Sequence, residues 1–256
     1  MSGLTSMFGG LKCLGRTTVL LGAILLGASM IVEAGVSGDF RYSLSGGAVT
    51  LTDYTGSASV LTIPDTIEGN PVTRIGEWAF MSCRSLTSVT IPDSVASIGM
   101  LAFDHCTSLT SVTIPNSVTS IGQGVFYGCN RLTDVTIPNS VTSIGDAVFA
   151  GCSSLTGVTI SDSISSIGEN WFEGCSSLTG VAIPEGVTTI GVHAFLSCSS
   201  LTEVLIPDSL TSIEGGAFAF CESLTDVTIP ESVSEKCMTP GFTHASRLNW
   251  MRIRAS

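Results

Sequence analysis

Seven of the nine cysteines stand at one fixed interval: Cys83, Cys106, Cys129, Cys152, Cys175, Cys198 and Cys221. Thiolates ligate soft metals, form disulfides and act as nucleophiles, so such a row raises all three questions. A zinc or catalytic site needs short, convergent spacings, and the chain contains no C-x-x-C pair, no H-E-x-x-H and no Gly-rich phosphate loop. Seven equivalent thiols cannot all pair with one another. Adjacent copies about 4.8 Å apart would fall inside the Cα range a disulfide tolerates, so distance leaves bridges open; buried thiols acting as small hydrophobes are the favoured reading. His105, His193 and His244 sit in no nucleophile or zinc motif, and the chain reads as a non-enzyme with no cofactor.

Two further rows carry oxygen ligands. One runs Asp65, Asp93, Asn116, Asn139, Asp162, Glu185, Asp208, Glu231. Oxygens from adjoining copies suit a hard cation such as Ca²⁺, but no D-x-D or nonapeptide calcium motif accompanies them, and capping of turns is the preferred role. The other row varies, as Ser88, Ser111, Asp134, Gly157, Gly180, Glu203, Asp226, beside a constant Thr87, Thr110, Thr133, Thr156, Thr179, Thr202, Thr225. Variation next to constancy marks the first column as the place where a ligand is read. Solvated strand positions, with Thr favoured by β propensity, are the plainer alternative.

The element that positions these rows is a unit of 23 residues, LTSVTIPDSVASIGMLAFDHCTS from Leu86 to Ser108, which recurs at Leu109, Leu132, Leu155, Leu178 and Leu201. Phe80, Phe103, Phe126, Phe149, Phe172, Phe195 and Phe218 form one apolar column; Ile75, Ile98, Ile121, Ile144, Ile167, Ile190 and Ile213 form another. A unit too small to bury its own apolar face stacks on copies of itself, giving a solenoid with one continuous core. The opening L-x-x-V-x-I-P predicts a short strand, Val89 and Ile91 inward and Thr90 outward, with neighbouring copies paired in parallel. The following V-x-x-I-G-x-x-A-F-x-x-C has apolar spacings of three and four, which predict a bend and a short helical or 3₁₀ turn on the opposite side.

From Phe40 to Cys221 this pattern resembles the BspA-type (Treponema pallidum type) leucine-rich repeats, and FRYSLSGGAVTLTDYTG leading into VLTIPDTIEGNPVTRIGEWAF resembles that family's entry segment. The resemblance implies a leucine-rich-repeat solenoid, a β-rich right-handed coil with a parallel strand wall. It also implies a secreted or cell-surface protein of adhesion and interaction, with no catalytic motif. The outward strand face is the usual contact surface of such repeats.

The two ends depart from the repeat. In residues 1–34, Lys12 and Arg16 precede an apolar run from Val19 to Val32, and Val32-Glu33-Ala34 offers small residues for a signal peptidase. Cleavage is expected between Ala34 and Gly35. An uncleaved anchor stays open, although the run falls short of the ~20 residues of a spanning helix. Residues 35–57 read as a β-hairpin cap turning at Ser45-Gly46-Gly47, residues 58–223 as the repeats, and residues 224–256 as a divergent last repeat. The first coil is long, with a bulge at Glu68-Gly69-Asn70-Pro71. Leu248 to Arg254 reads as a final strand or a frayed tail.

The chain of 256 residues carries 10 Lys+Arg against 21 Asp+Glu; without Lys12, Arg16 and Glu33 the balance is 8 against 20. Such a surface repels nucleic acid and anionic lipid, leaving the membrane a role only through the first segment. The reading is an exported monomer that binds a protein or glycan. Its contact candidates are Ser88, Ser111, Asp134, Glu203, Leu205 and Asp226, joined by Trp250 as anchor and Arg252. The alternative is a structural envelope spacer without a specific soluble ligand.

Overall fold

The computed structural model describes residues 33–233 and 250–254. Each coil opens with a three-residue strand: Val60–Thr62, Ser88–Thr90, Ser111–Thr113, Asp134–Thr136, Gly157–Thr159, Gly180–Ala182 and Glu203–Leu205, followed by a longer Asp226–Pro230. Pairing is parallel and offset by one repeat, Ser88 opposite Ser111 and Gly180 opposite Glu203. Val89 and Ile91 are buried while Thr90 faces out, because alternate strand residues point to opposite faces. The ladder is continuous over the first five strands. It is interrupted after Gly157–Thr159, re-forms between Gly180–Ala182 and Glu203–Leu205, and re-forms again between Asp226–Pro230 and Trp250–Arg254.

A second wall consists of two-residue strands such as Ser97–Ile98, Ser120–Ile121 and Ser143–Ile144, also parallel. Their close approach needs glycine at the following position: a Cβ on Gly122 would lie 2.5 Å from the backbone nitrogen of Met100 in the coil before. Glu33–Ser37, Phe40–Ser45 and Ala48–Tyr54 form an antiparallel meander, and the last of them joins this wall in parallel with Asn70–Ile75. Thr66–Ile67 folds back on Asn70–Ile75 as a hairpin through Glu68 and Gly69, both at positive φ, so the extra residues of the first coil leave the stack as a tight turn.

The helical turn expected after the Ile-Gly pair does not form; no helix occurs among the described residues. Backbone amides there alternate between two destinations. Cys106 N–H donates to Phe103 O at 3.2 Å within its own coil, whereas Phe103 N–H and His105 N–H donate to Val125 O and Tyr127 O of the next coil at 2.9 and 2.7 Å. Leu101 and His105 adopt positive φ, as do the residues one repeat on, Gly124 and Gly128. Left-handed residues four apart, with every other amide committed between coils, cannot propagate a helix. The apolar spacing was therefore a stacking pattern.

The core is a column of aromatic rings. Phe103, Phe126, Phe149 and Phe172 stack at centroid spacings of 5.6–5.7 Å. At the N-terminal end the column continues through Tyr54 and Phe40, with Tyr54 at 5.4 Å from Phe80. The meander thus closes the core with rings of its own. Glu33 and Ala34 lie in its first strand opposite Leu44 and Ser43, so that strand runs across the expected cleavage point; the rest of the expected export segment lies outside the described residues. At the other end Val227 and Ile229 stand opposite Met251 and Ile253. Leu248 and the intervening Lys236, Cys237 and Thr239-Pro240-Gly241 lie outside the described residues.

Candidate ligand-contact face

The varied column occupies the first position of each strand in the parallel wall. Ser88, Ser111, Asp134 and Gly157 follow one another in register; Gly180 and Glu203 form a second pair, and Asp226 stands opposite Trp250. Ser111, Asp134 and Glu203 are exposed, and Ser88 is half-buried. The side chains of Asp226, Trp250 and Arg252 lie outside the described residues, and these three enter by backbone register alone, Arg252 opposite Thr228.

The neighbouring Thr column is constant for a reason other than strand propensity. Thr110, Thr133, Thr156 and Thr202 each donate Oγ1–H to the backbone carbonyl of the Thr one repeat earlier, at 2.9–3.3 Å. A hydroxyl ladder of this kind ties coil to coil, and Thr supplies the hydroxyl together with the β-branching that suits a strand. The constant column is structural, which leaves the varied one to differ.

Glu203 and Leu205 come together in a groove of 580 Å³ on the strand wall, lined by Glu185, Thr202 through Asp208, Thr225 and Thr228. Leu205 is 57 % exposed at a position that other coils fill with Thr90, Thr113, Thr136 or Thr159. Ser88, Ser111 and Asp134 share the wall and stay outside the groove. Glu185 and Asp208 were legible only as members of the acidic row, where capping of turns was expected. Backbone also closes these turns: Val95 N–H donates to Pro92 O and Val187 N–H to Pro184 O, both at 3.0 Å. Asn139 Oδ1 accepts the amide of Asp162, one coil on, at 3.3 Å. The row thus faces outward along the margin of the strand wall, and Glu185 borders the groove.

None of the seven thiols forms a disulfide; Cys106 through Cys221 are buried and Cys83 is half-buried. Each Sγ of the buried six donates to a Phe carbonyl in the coil before, Cys152 to Phe126 O at 3.2 Å and Cys175 to Phe149 O at 3.3 Å. Burial pushes the thiols of Cys106, Cys129, Cys152 and Cys175 up, Cys175 to about 12, so these four sulfurs stay protonated and are poor nucleophiles or ligands. Among the described residues no three His, Cys, Asp or Glu converge as a metal site.

Elsewhere, Asp104 Oδ1 meets His105 Nδ1 at 2.5 Å, with the Tyr127 ring 5.5 Å from the imidazole and Gly128 beneath it. Burial raises the Asp104 carboxyl above its ordinary value, against the lowering pull of His105.

A profile of the BspA type leucine rich repeat region matches residues 54–179 and 119–239, in 6 copies. The chain belongs to this family. It is similar to the T. pallidum leucine rich repeat protein at 30% identity and a TM-score of 0.73, over 82% of this chain and 98% of that one. It is also similar to a leucine-rich repeat protein from Bacteroides ovatus at 29% identity and a TM-score of 0.61, over 78% of this chain and 60% of that one. No curated protein matches the chain.

Proposed function

We propose that this BspA-type repeat protein is an exported, non-catalytic recognition scaffold, displayed at the cell surface or secreted, that holds a protein or glycan against the C-terminal part of its strand wall. The observation that carries the reading is the groove at Glu203 and Leu205. It is built where the outward residues of the strand wall depart from the Thr pattern, while the core columns beneath it do not change. A scaffold of near-identical coils acquires selectivity only from outward differences, and these gather here. The apolar run before Glu33 supports export, and the family supports adhesion.

The test has two parts. Mass spectrometry of the material a producing cell exports is expected to find Gly35 at the N-terminus; an intact Met1 in that fraction argues for an anchor. Capture from matrix proteins, envelope extracts and glycan arrays by the purified protein is expected to be reduced by Glu203→Lys and by Leu205→Ser, with Tm held. Capture indifferent to both variants removes the strand wall as the contact face.

A further inference from the structure

We propose that the solenoid carries a hinge in the coil from Leu155 to Ser177, where the strand wall and the second wall are parted while the turn wall holds, and that the indole of Trp171 is the wedge between them. The hinge is independent of the groove and of any partner.

Both ladders stop within one coil. On the second wall Ser143–Ile144 ends the sheet that begins at the meander and Ser166–Ile167 starts another; on the strand wall Gly157–Thr159 ends the five-stranded ladder and Gly180–Ala182 starts the next. The chain therefore crosses from the N-terminal half to the C-terminal half between Thr159 and Ser166. Ser161 stands in that crossing where other coils have Pro92, Pro115, Pro138, Pro184 and Pro207, so the segment lacks the fixed φ of its equivalents. On either side of the seam the second wall is bonded: Gly145 N–H donates to Ile121 O and Gly191 N–H to Ile167 O, both at 2.9 Å. Among the described residues Gly168 makes no such bond to Ile144, nor Ser165 to Thr142. The N-terminal lip takes up solvent on both walls. Ile144 and Val158 are half-buried, whereas Ile121, Ile167, Val135 and Val181 in the same columns are buried.

One side chain accounts for the gap. Trp171 occupies a column that otherwise holds Ala79, Ala102, Val125, Val148, Ala194 and Ala217. A Cβ on Gly122, Gly145 or Gly191 would meet the backbone of the coil before, but a Cβ on Gly168 would meet Trp171 Nε1 and, at 2.9 Å, Asp146 Oδ1. The indole thus stands where backbone packs on backbone elsewhere, and Asp146 Oδ1 reaches across to accept the Glu169 amide at 3.0 Å. Trp171 is 1 % exposed, and among the described residues its Nε1–H has no hydrogen-bond partner. Opening the seam brings water to this donor and relieves its desolvation. The turn wall spans the same boundary intact. Ala147, Phe149 and Gly151 N–H donate to Glu169, Trp171 and Glu173 O at 2.6–3.0 Å, and Phe149 stacks on Phe172 at 5.7 Å. Two parted walls and one bonded wall make a hinge and not a break.

The experiment is hydrogen exchange followed by NMR on the whole purified protein under native conditions. The Trp171 Nε1–H, buried as it is, should exchange at least about tenfold faster than the Ala147 and Phe149 amides, because it needs only the local opening. In Trp171→Ala the seam should close: the Ser165 and Gly168 amides should slow about tenfold, towards Thr142 and Gly145, and Tm should fall less than in Phe172→Ala. Trp171→Val, the residue type of the two coils before, carries the same comparison if the alanine variant does not fold, and the indole is read on the parent. An indole N–H as slow as the Phe149 amide overturns the hinge. So does a Phe149 amide as fast as the indole, which would mean that the halves separate entirely. Ser165 and Gly168 amides that are unchanged or faster in the Trp171 variants would make Trp171 a support of the core and not a wedge.

Discussion

In each coil the cysteine places a small, weakly polar side chain under a phenylalanine carbonyl, a position where alanine would leave a gap and a larger apolar group would collide. Phe126 O also accepts the Cys129 amide at 3.2 Å, so losing the Cys152 thiol orphans nothing. Cys152→Ala should therefore cost only about 1 kcal/mol, whereas Phe149→Ala, which removes a ring stacked on both sides at 5.7 Å, should cost about 3–5 kcal/mol. Urea unfolding of the two variants checks the ratio, and comparable losses would show the thiol row to be a principal support. Asp104 gives a prediction in pH. Its folded carboxyl binds the proton more tightly than the unfolded one, because burial raises it from 3.8. Stability contributed by this residue is therefore highest below 3.8, falls as pH rises towards the raised folded value, and stays low above it. Asp104→Asn removes that penalty. The variant should melt about 1–3 °C above the parent at pH 7, and the gap should close as pH falls towards 4. A gap that is reversed at pH 7 would mean that the contact with His105 outweighs desolvation.

The turn wall shows where an element was misread and what in the chain marked it. Spacings of three and four between Ile98, Ala102, Phe103 and Cys106 fit a helical period, and those side chains are indeed all buried. The period nevertheless arises from two left-handed residues four apart in every coil: Leu101 and His105, Gly124 and Gly128, Ala147 and Gly151, Asn170 and Gly174. The recurrence of Gly and Asn at these two columns was the visible signal, since these types enter the left-handed region most readily. The parallel strand wall was legible because period-two alternation with a terminal Pro has few other outcomes. The hydroxyl ladder of the Thr column was not, because β propensity explained the same residues. Two substitutions test the turn wall. Ala147→Gly should stabilise by up to about 1 kcal/mol by relieving φ 55°. Gly151→Ala should destabilise by about 1–2 kcal/mol, and the cause would be backbone alone, since a Cβ there finds its nearest neighbours at an ordinary 3.5 Å. If thermal melts show neither change, these φ values do not describe the wall.

Across the whole molecule one ring column runs from Phe40 and Tyr54 to Phe218, so the coils and the N-terminal meander share a single core. The hairpin itself could be read from alternation and Gly46-Gly47. That Tyr54 takes the place of a phenylalanine of the stack could not, because it lies 26 residues before Phe80, outside the 23-residue period. The groove was half legible: Glu203 and Leu205 stood out as departures from Thr, whereas the part played by Glu185 depends on which rows the coil brings side by side. Charge is the property that only the whole chain shows. Twelve carboxylates and no Lys or Arg between Leu132 and Val233 are held on coils about 4.8 Å apart, and their mutual repulsion opposes the compact state. Salt screens exposed charges over a Debye length of ~10 Å at 0.1 M and ~3 Å at 1 M, while leaving the ring column and the coil-to-coil hydrogen bonds in place. Raising NaCl from roughly 0.02 M to 0.5 M should thus raise Tm by about 2–4 °C. The double variant Glu169→Lys/Glu222→Lys, which puts two cations into this half, should lose a good part of that increase. A Tm that falls with salt, or a double variant as salt-sensitive as the parent, would show that ion pairs and not repulsion dominate the electrostatics of the coil.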